Sequence, residues 1–293
     1  MARLLESSNL LRRHPLALPL GAFFLILLFI GSLAGPGRGP QIGILPIEGV
    51  IMESETLLAK IKLLEEEDRV KAVLVRVNSP GGGAASSQEI YGALKRLSAK
   101  KPVYTSVASV AASGGYYVAL GTHKIYANPA SLTGSIGVIL QSLNAAEAFG
   151  KLGLKMETIK AGKNKDIGNM FRPMTEAEKG LLSAVLADVH DQFMAAIVAN
   201  RPLKREQVEV LADGRIFTGR QAADAGLIDG LMGFEQVISA LEKKAGVKGA
   251  ELYYPPEPTK EIFQRLGLEE ASKILSQARG LALLDPNLGF LKL

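Results

Sequence analysis

The segment with the clearest chemical potential is Ala111-Ala112-Ser113-Gly114-Gly115-Tyr116-Tyr117. It follows an apolar run, Val103 to Ala108, that reads as a strand, and it precedes a helix-compatible Tyr117-Val118-Ala119-Leu120. A serine at a strand-to-helix turn holds its hydroxyl clear of the backbone, and the first amides of the helix have no intrahelical acceptor. Those amides are donors for an oxyanion, so the turn suits nucleophilic acyl chemistry. Ser-Gly-Gly is also ordinary turn chemistry, and the serine needs companions before it means more.

Two other segments supply them. Asn78-Ser79-Pro80-Gly81-Gly82-Gly83 closes a β-branched run, Lys71 to Val77, at the strand end where α/β sheets bind ligands. It lacks the Gly-Lys-Ser/Thr of a nucleotide P-loop and the Gly-x-Gly-x-x-Gly of a dinucleotide site, which leaves a tight turn or an oxyanion loop. The general base is the harder question. His14 abuts an apolar N-terminal stretch, His123 is separated from Ser113 by a helical segment, and His190 sits beside Asp191 on what reads as a solvated helix face. A desolvated lysine remains, and Lys160-Ala161-Gly162-Lys163-Asn164-Lys165-Asp166 offers three. Lowering a lysine from about 10.4 towards 7 costs roughly 4–5 kcal/mol of burial, so only one of them is expected to act. Composition does not say which.

The elements that position these residues read as a layered α/β domain. Strand-like 42–45, 71–77, 103–108, 124–127 and 137–140 alternate with helical patterns over 56–67 and 86–97. A further strand-like stretch, Met156 to Ile159, precedes a capping box at Thr175-Glu176-Ala177-Glu178 that opens a long amphipathic helix to about Asn200. Shorter helices follow to about Ala245.

The chain of 293 residues divides into a short N-terminus (1–15), an apolar segment (16–35), a Gly/Pro linker (36–40), the α/β domain (41–245) and a tail (246–293). Leu16 to Ala34 is uncharged and long enough to cross a bilayer. Arg12 and Arg13 before it keep the N-terminus cytoplasmic and place the domain on the extracytoplasmic side of a bacterial-type membrane. A cleavable leader is the competing reading, from the small residues at Ser32-Leu33-Ala34. The absence of cysteine excludes thiol nucleophiles, disulfides and thiolate metal sites. A net charge of +5 without a basic run interleaved with aromatics gives no reason to expect nucleic acid as a partner.

Taken together, Asn78 to Gly83, Ala111 to Tyr117, Leu132-Thr133-Gly134-Ser135-Ile136-Gly137-Val138, Lys163 to Asp166 and Ala212 to Ala222 resemble the signal peptide peptidase A family in order and spacing. This is a family of membrane-anchored Ser-Lys proteases, and the match is to its short, single-repeat form. The resemblance implies a Clp/crotonase-like α/β fold behind one N-terminal transmembrane helix. It implies Ser113 as nucleophile, Lys165 as general base, Ser135 holding the lysine amine, and backbone amides of Gly82 and Gly114 as the oxyanion hole. It further implies a homo-oligomeric ring with sites completed between neighbouring subunits, peptide substrates such as signal peptides, and no cofactor or metal. A crotonase-like enzyme acting on acyl-coenzyme A would share the glycine-rich oxyanion hole but leave Lys165 and Ser135 unexplained, and a non-catalytic membrane scaffold would tolerate alanine at both Ser113 and Lys165.

Overall fold

The computed structural model describes residues 39–257, so the apolar segment 16–35 and most of the tail lie outside the described residues. Among the described residues, 41–257 are built on one sheet. Its strands are β1 (Gln41–Ile51), β2 (Val70–Gly82), β3 (Val103–Ala112), β4 (Lys124–Ala127), β5 (Leu132–Gly134), β6 (Ile216–Thr218), β7 (Gly230–Leu231) and β8 (Glu251–Tyr253). The helices are α1 (Glu55–Glu66), α2 (Ala84–Ser98), α3 (Gly114–Ala119), α4 (Ala146–Lys151), α5 (Glu176–Asn200), α6 (Arg205–Leu211), α7 (Gly219–Asp224) and α8 (Phe234–Ala245). The alternating α/β reading of the sequence is thus borne out.

The order across the sheet is β6-β5-β3-β2-β1-β8, with β4 also against β3 and β7 against β4. Every pairing is parallel except β5 with β6. Parallel strands are joined by crossovers that cover both faces, and β1 and β2 show the consequence in their side chains. Ile42, Ile44, Ala72 and Leu74 point to one face and pack with Val237, Ile238 and Leu241 of α8. Leu45, Ile47, Val73, Val75 and Val77, one residue out of phase, enter the larger core with α1, α2, α3 and α5.

β3, which leads into Ser113, serves two partners on one side. Its first half pairs with β4 and its last residues, Val110 to Ala112, pair with β5. The residue after Ala112 therefore leaves the sheet between β2 and β5. Helix α5 begins with the expected capping box: the Glu178 amide donates to Thr175 Oγ1 at 3.2 Å and the Thr175 amide to a Glu178 carboxylate oxygen at 2.9 Å. By length and composition α5 is apolar enough to cross a membrane, but Phe193, Met194, Ala196 and Ile197 are buried in the core. Its C-terminal end is fixed by Arg201, which donates to Asp229 at 2.6 Å.

Four stretches differ from the sequence reading. β2 does not stop at Asn78 but runs through Gly82, because β1 continues alongside and pairs Val50 with Gly81 and Ile51 with Gly82. Residues 137–140 and 156–159 form no strand. Met156 and Ile159 are exposed, the latter fully, so these apolar residues have no ladder and no core of their own to join. β8 adds a parallel strand to the β1 edge, beyond residue 245.

Candidate active site

Ser113 occupies the turn from β3 into α3 with φ 52° and ψ −121°. This is the geometry of the first central residue of a type II′ turn, which glycine adopts freely and a side chain resists. The strain is held from both sides. The Ser113 amide donates to the Gly134 carbonyl at 2.8 Å, and its carbonyl accepts from the Tyr117 amide at 2.9 Å. Beneath it, Tyr117 packs on Phe193 of α5 with ring centroids 4.9 Å apart, and the buried Tyr116 hydroxyl donates to the Leu227 carbonyl at 2.7 Å. Each aromatic pair of this kind contributes about 0.5–1.5 kcal/mol beyond its area.

Ser135, after β5, is the second residue of the same kind, with φ 50°. Among the described residues, Ser113 and Ser135 are the only non-glycine positions with positive φ. Strained residues persist where the surroundings over-determine them, and such places are disproportionately functional. Both serines line one cavity of about 490 Å³. Its other walls are Gly137, Val138 and Ile139, then Leu186, Ala187 and His190 of α5, then Ala212, Asp213 and Gly214. The Ser113 hydroxyl oxygen is buried and has no hydrogen-bond partner among the described residues.

The glycines lie where backbone meets backbone. A Cβ on Gly81 would stand 2.7 Å from the Gly114 nitrogen, and one on Gly114 would stand 3.2 Å from the Gly82 nitrogen. The end of β2 and the start of α3 are thus in close backbone contact, with Ser87 Oγ of α2 also 2.5 Å from where a Gly114 Cβ would stand, and the amides of Gly82 and Gly114 lie close together beside Ser113. A Cβ on Gly82 would meet the Ile51 carbonyl oxygen at 2.1 Å, so this position tolerates no side chain.

Lys165 is not brought to Ser113 in the same way. It is exposed, it is absent from the cavity lining, and its ammonium makes no hydrogen bond or ion pair among the described residues. The turn carrying it is well anchored. Arg172 donates from Nε to Asp166 at 3.0 Å and grips the Glu178 carboxylate with both terminal nitrogens, at 2.8 and 2.5 Å. Lys160 also pairs with Asp166. The hydrogen bonds from Arg172, supported by the Thr175 amide, pull the Glu178 carboxyl down to about 2. Lys163 is exposed as well.

His190 departs from its reading as a solvated position. It is half-buried, and Nε2 is enclosed on the wall of the Ser113 cavity without a partner among the described residues. Its spacing on α5 gave no sign of this, because the opposing walls come from remote parts of the chain.

A serine held outside the ordinary backbone wells at the carboxyl end of a parallel strand, with glycine amides beside it, shares its backbone geometry with the strand-to-helix elbow of α/β hydrolases. The chain belongs to peptidase family S49, whose sequence profile matches residues 95–248. It is 44% identical over 180 residues to a putative protease of Synechocystis, covering 61% of this chain and 65% of that one. It is 38% identical over 201 residues to a putative protease of Methanocaldococcus jannaschii, covering 68% and 65%. A putative signal peptide peptidase SppA of Enterococcus faecium is 37% identical over 193 residues, covering 65% and 56%. The chain therefore spans less than two thirds of the length of each of these relatives. A ClpP1 mutant of Listeria monocytogenes superposes with a TM-score of 0.45 at 16% identity, over 66% of this chain and 92% of that one.

Proposed function

We propose that this chain is a membrane-anchored serine endopeptidase that degrades cleaved signal peptides and other apolar peptides, with Ser113 as nucleophile and Lys165 as base. The observation that carries the reading is the pair of strained serines, Ser113 and Ser135, on one cavity beside the glycine amides. Family membership and the motif resemblance support it.

In this mechanism the neutral Lys165 amine takes the Ser113 proton as Oγ attacks the scissile carbonyl. The amides of Gly82 and Gly114 hold the resulting oxyanion. Lys165 then hands the proton to the leaving amine, and water releases the acyl group from Ser113. Ser135 steadies the lysine amine.

The lysine comes from a second copy of the chain in a ring-like homo-oligomer. Two observations favour this arrangement: Lys165 is exposed and partnerless, and the segment around it exposes Ile139, Leu143, Leu152, Leu154, Met156 and Ile159. Apolar side chains left exposed along one segment favour an interface there. Covering it would also dry the amine, as a neutral lysine requires.

An extended substrate adds beside the Gly81–Gly83 loop, where the exposed Val50 and Met52 offer apolar contacts. The apolar residues 16–34 behind Arg12 and Arg13 supply the anchor, with the protease domain outside the cytoplasm. The Clp/crotonase-like fold belongs to this reading too.

The test is acylation by a serine-reactive probe on detergent-solubilised full-length protein. Labelling is expected to vanish in Ser113→Ala and in Lys165→Ala and to persist in Lys163→Ala. Labelling of Lys165→Ala at the parental rate would overturn the assignment of the base.

A further inference from the structure

A neutral lysine amine has two N–H donors and one lone pair. If the lone pair faces the Ser113 hydroxyl, both N–H groups need acceptors, because an unsatisfied polar group in a dry site costs about 1–3 kcal/mol. Ser135 is one acceptor in the proposed mechanism. The second has not been assigned.

The cavity side chains with acceptor atoms are few: Ser113, Ser135, Asp213 and His190. Asp213 is a solvated rim group rather than an enclosed acceptor: its side chain is half exposed and already accepts from Arg215 Nε at 2.8 Å on both carboxylate oxygens. Those bonds hold its carboxyl down to about 2. His190 Nε2 is enclosed and unpartnered. A neutral imidazole with its proton on Nδ1 presents a lone pair at Nε2. The neighbouring charge on α5, Asp191, is paired with Arg205. The rest of that wall, Leu186 and Ala187, is apolar and cannot satisfy a donor.

We propose that His190 is a positioning residue of the catalytic site: its Nε2 accepts a hydrogen bond from the Lys165 amine and, with Ser135, aims the amine lone pair at Ser113. This rests on the Ser-Lys reading above. When Lys165 gains the serine proton, the same two acceptors hold the ammonium, and the third N–H faces the substrate's leaving nitrogen. An acceptor favours the charged form of its donor. Replacing His190 with an apolar residue therefore eases deprotonation of the lysine while leaving its amine poorly aimed.

The experiment is the pH profile of Ser113 acylation and of peptide cleavage in full-length His190→Leu and His190→Gln, with Lys165→Ala alongside. His190→Leu is expected to lower the plateau kcat by about 10–100-fold, as a misaimed base does, with KM nearly unchanged. Its acid limb moves to lower pH. His190→Gln, whose amide oxygen is an acceptor, is expected to stay within about threefold of the parent with the limb in place.

A parental rate and limb in His190→Leu would overturn the inference while leaving the Ser-Lys reading intact. Equal inactivity of His190→Gln and His190→Leu, both eluting as the parental oligomer, would also overturn it, because the requirement would then be for a titrating imidazole. If His190→Leu fails to assemble, the glutamine variant decides alone: a parental limb supports the acceptor role and a displaced one refutes it. Acylation of Lys165→Ala at the parental rate would instead sink the underlying Ser-Lys reading.

Discussion

Replacing Ser113 with glycine is expected to make the protein more stable than replacing it with alanine. Both changes delete the buried, unpartnered hydroxyl, so that contribution cancels between them. They differ in the backbone. At φ 52° and ψ −121° alanine keeps the strain of a side chain in a type II′ position, and glycine releases it. Such strain costs on the order of 1–3 kcal/mol, and glycine's greater freedom in the unfolded chain returns about 0.5–1 kcal/mol. The net is about 1 kcal/mol in favour of glycine. For a domain of this size that corresponds to a midpoint roughly 2–4 °C higher. Thermal unfolding of the two inactive variants in the same detergent measures the difference directly. A glycine variant that melts at or below the alanine variant would mean that the turn is relaxed, and the argument from strain to function at Ser113 would fall with it.

Three further outcomes follow from the ion pairs of the domain. Asp229→Ala strips the buried Arg201 of its partner and the Ile125 amide of its acceptor, with an expected loss of about 3–5 kcal/mol in denaturant unfolding. Arg172→Met unclips the Lys165 turn from the first turn of α5, and peptidase activity should fall about tenfold or more from misplacement of the base. Glu178 is held below its unfolded value, so its contribution is complete above about pH 4.5 and is lost as pH falls towards 2. Arg172→Met should flatten that acid-side decline in thermal stability, and an unchanged decline would contradict the clip.

The site was legible in proportion to how local its determinants are. The Ser113 turn is written in seven consecutive residues, and the capping box that starts α5 in four, so both could be read directly. Gly81 and Gly82 were recognisable as special but not as strand, because their conformation is set by pairing with Val50 and Ile51 rather than by their own propensity. Met156 to Ile159 has the composition of a strand and forms none, its apolar side chains standing in solvent. His190 was hidden for a different reason. Helical spacing gave its neighbours on α5 but not the Ser135 and Asp213 segments that close the cavity over it. The strain at Ser135 was likewise invisible, since it arises where β5 pairs with β6 and the Ser135 amide donates to the Arg215 carbonyl at 2.8 Å.

The claim on which the account turns is that Ser113 of one copy works with Lys165 of another. Co-expression of Ser113→Ala with Lys165→Ala tests it most directly, because neither chain alone carries a complete set. In a head-to-tail ring of randomly mixed copies, about one quarter of the interfaces would join an intact serine to an intact lysine. Mixed oligomers are therefore expected to recover roughly that fraction of parental peptide cleavage, from two variants that are each inactive. Mixed oligomers that assemble normally and remain inert would contradict the account and place the base on the same chain as its nucleophile.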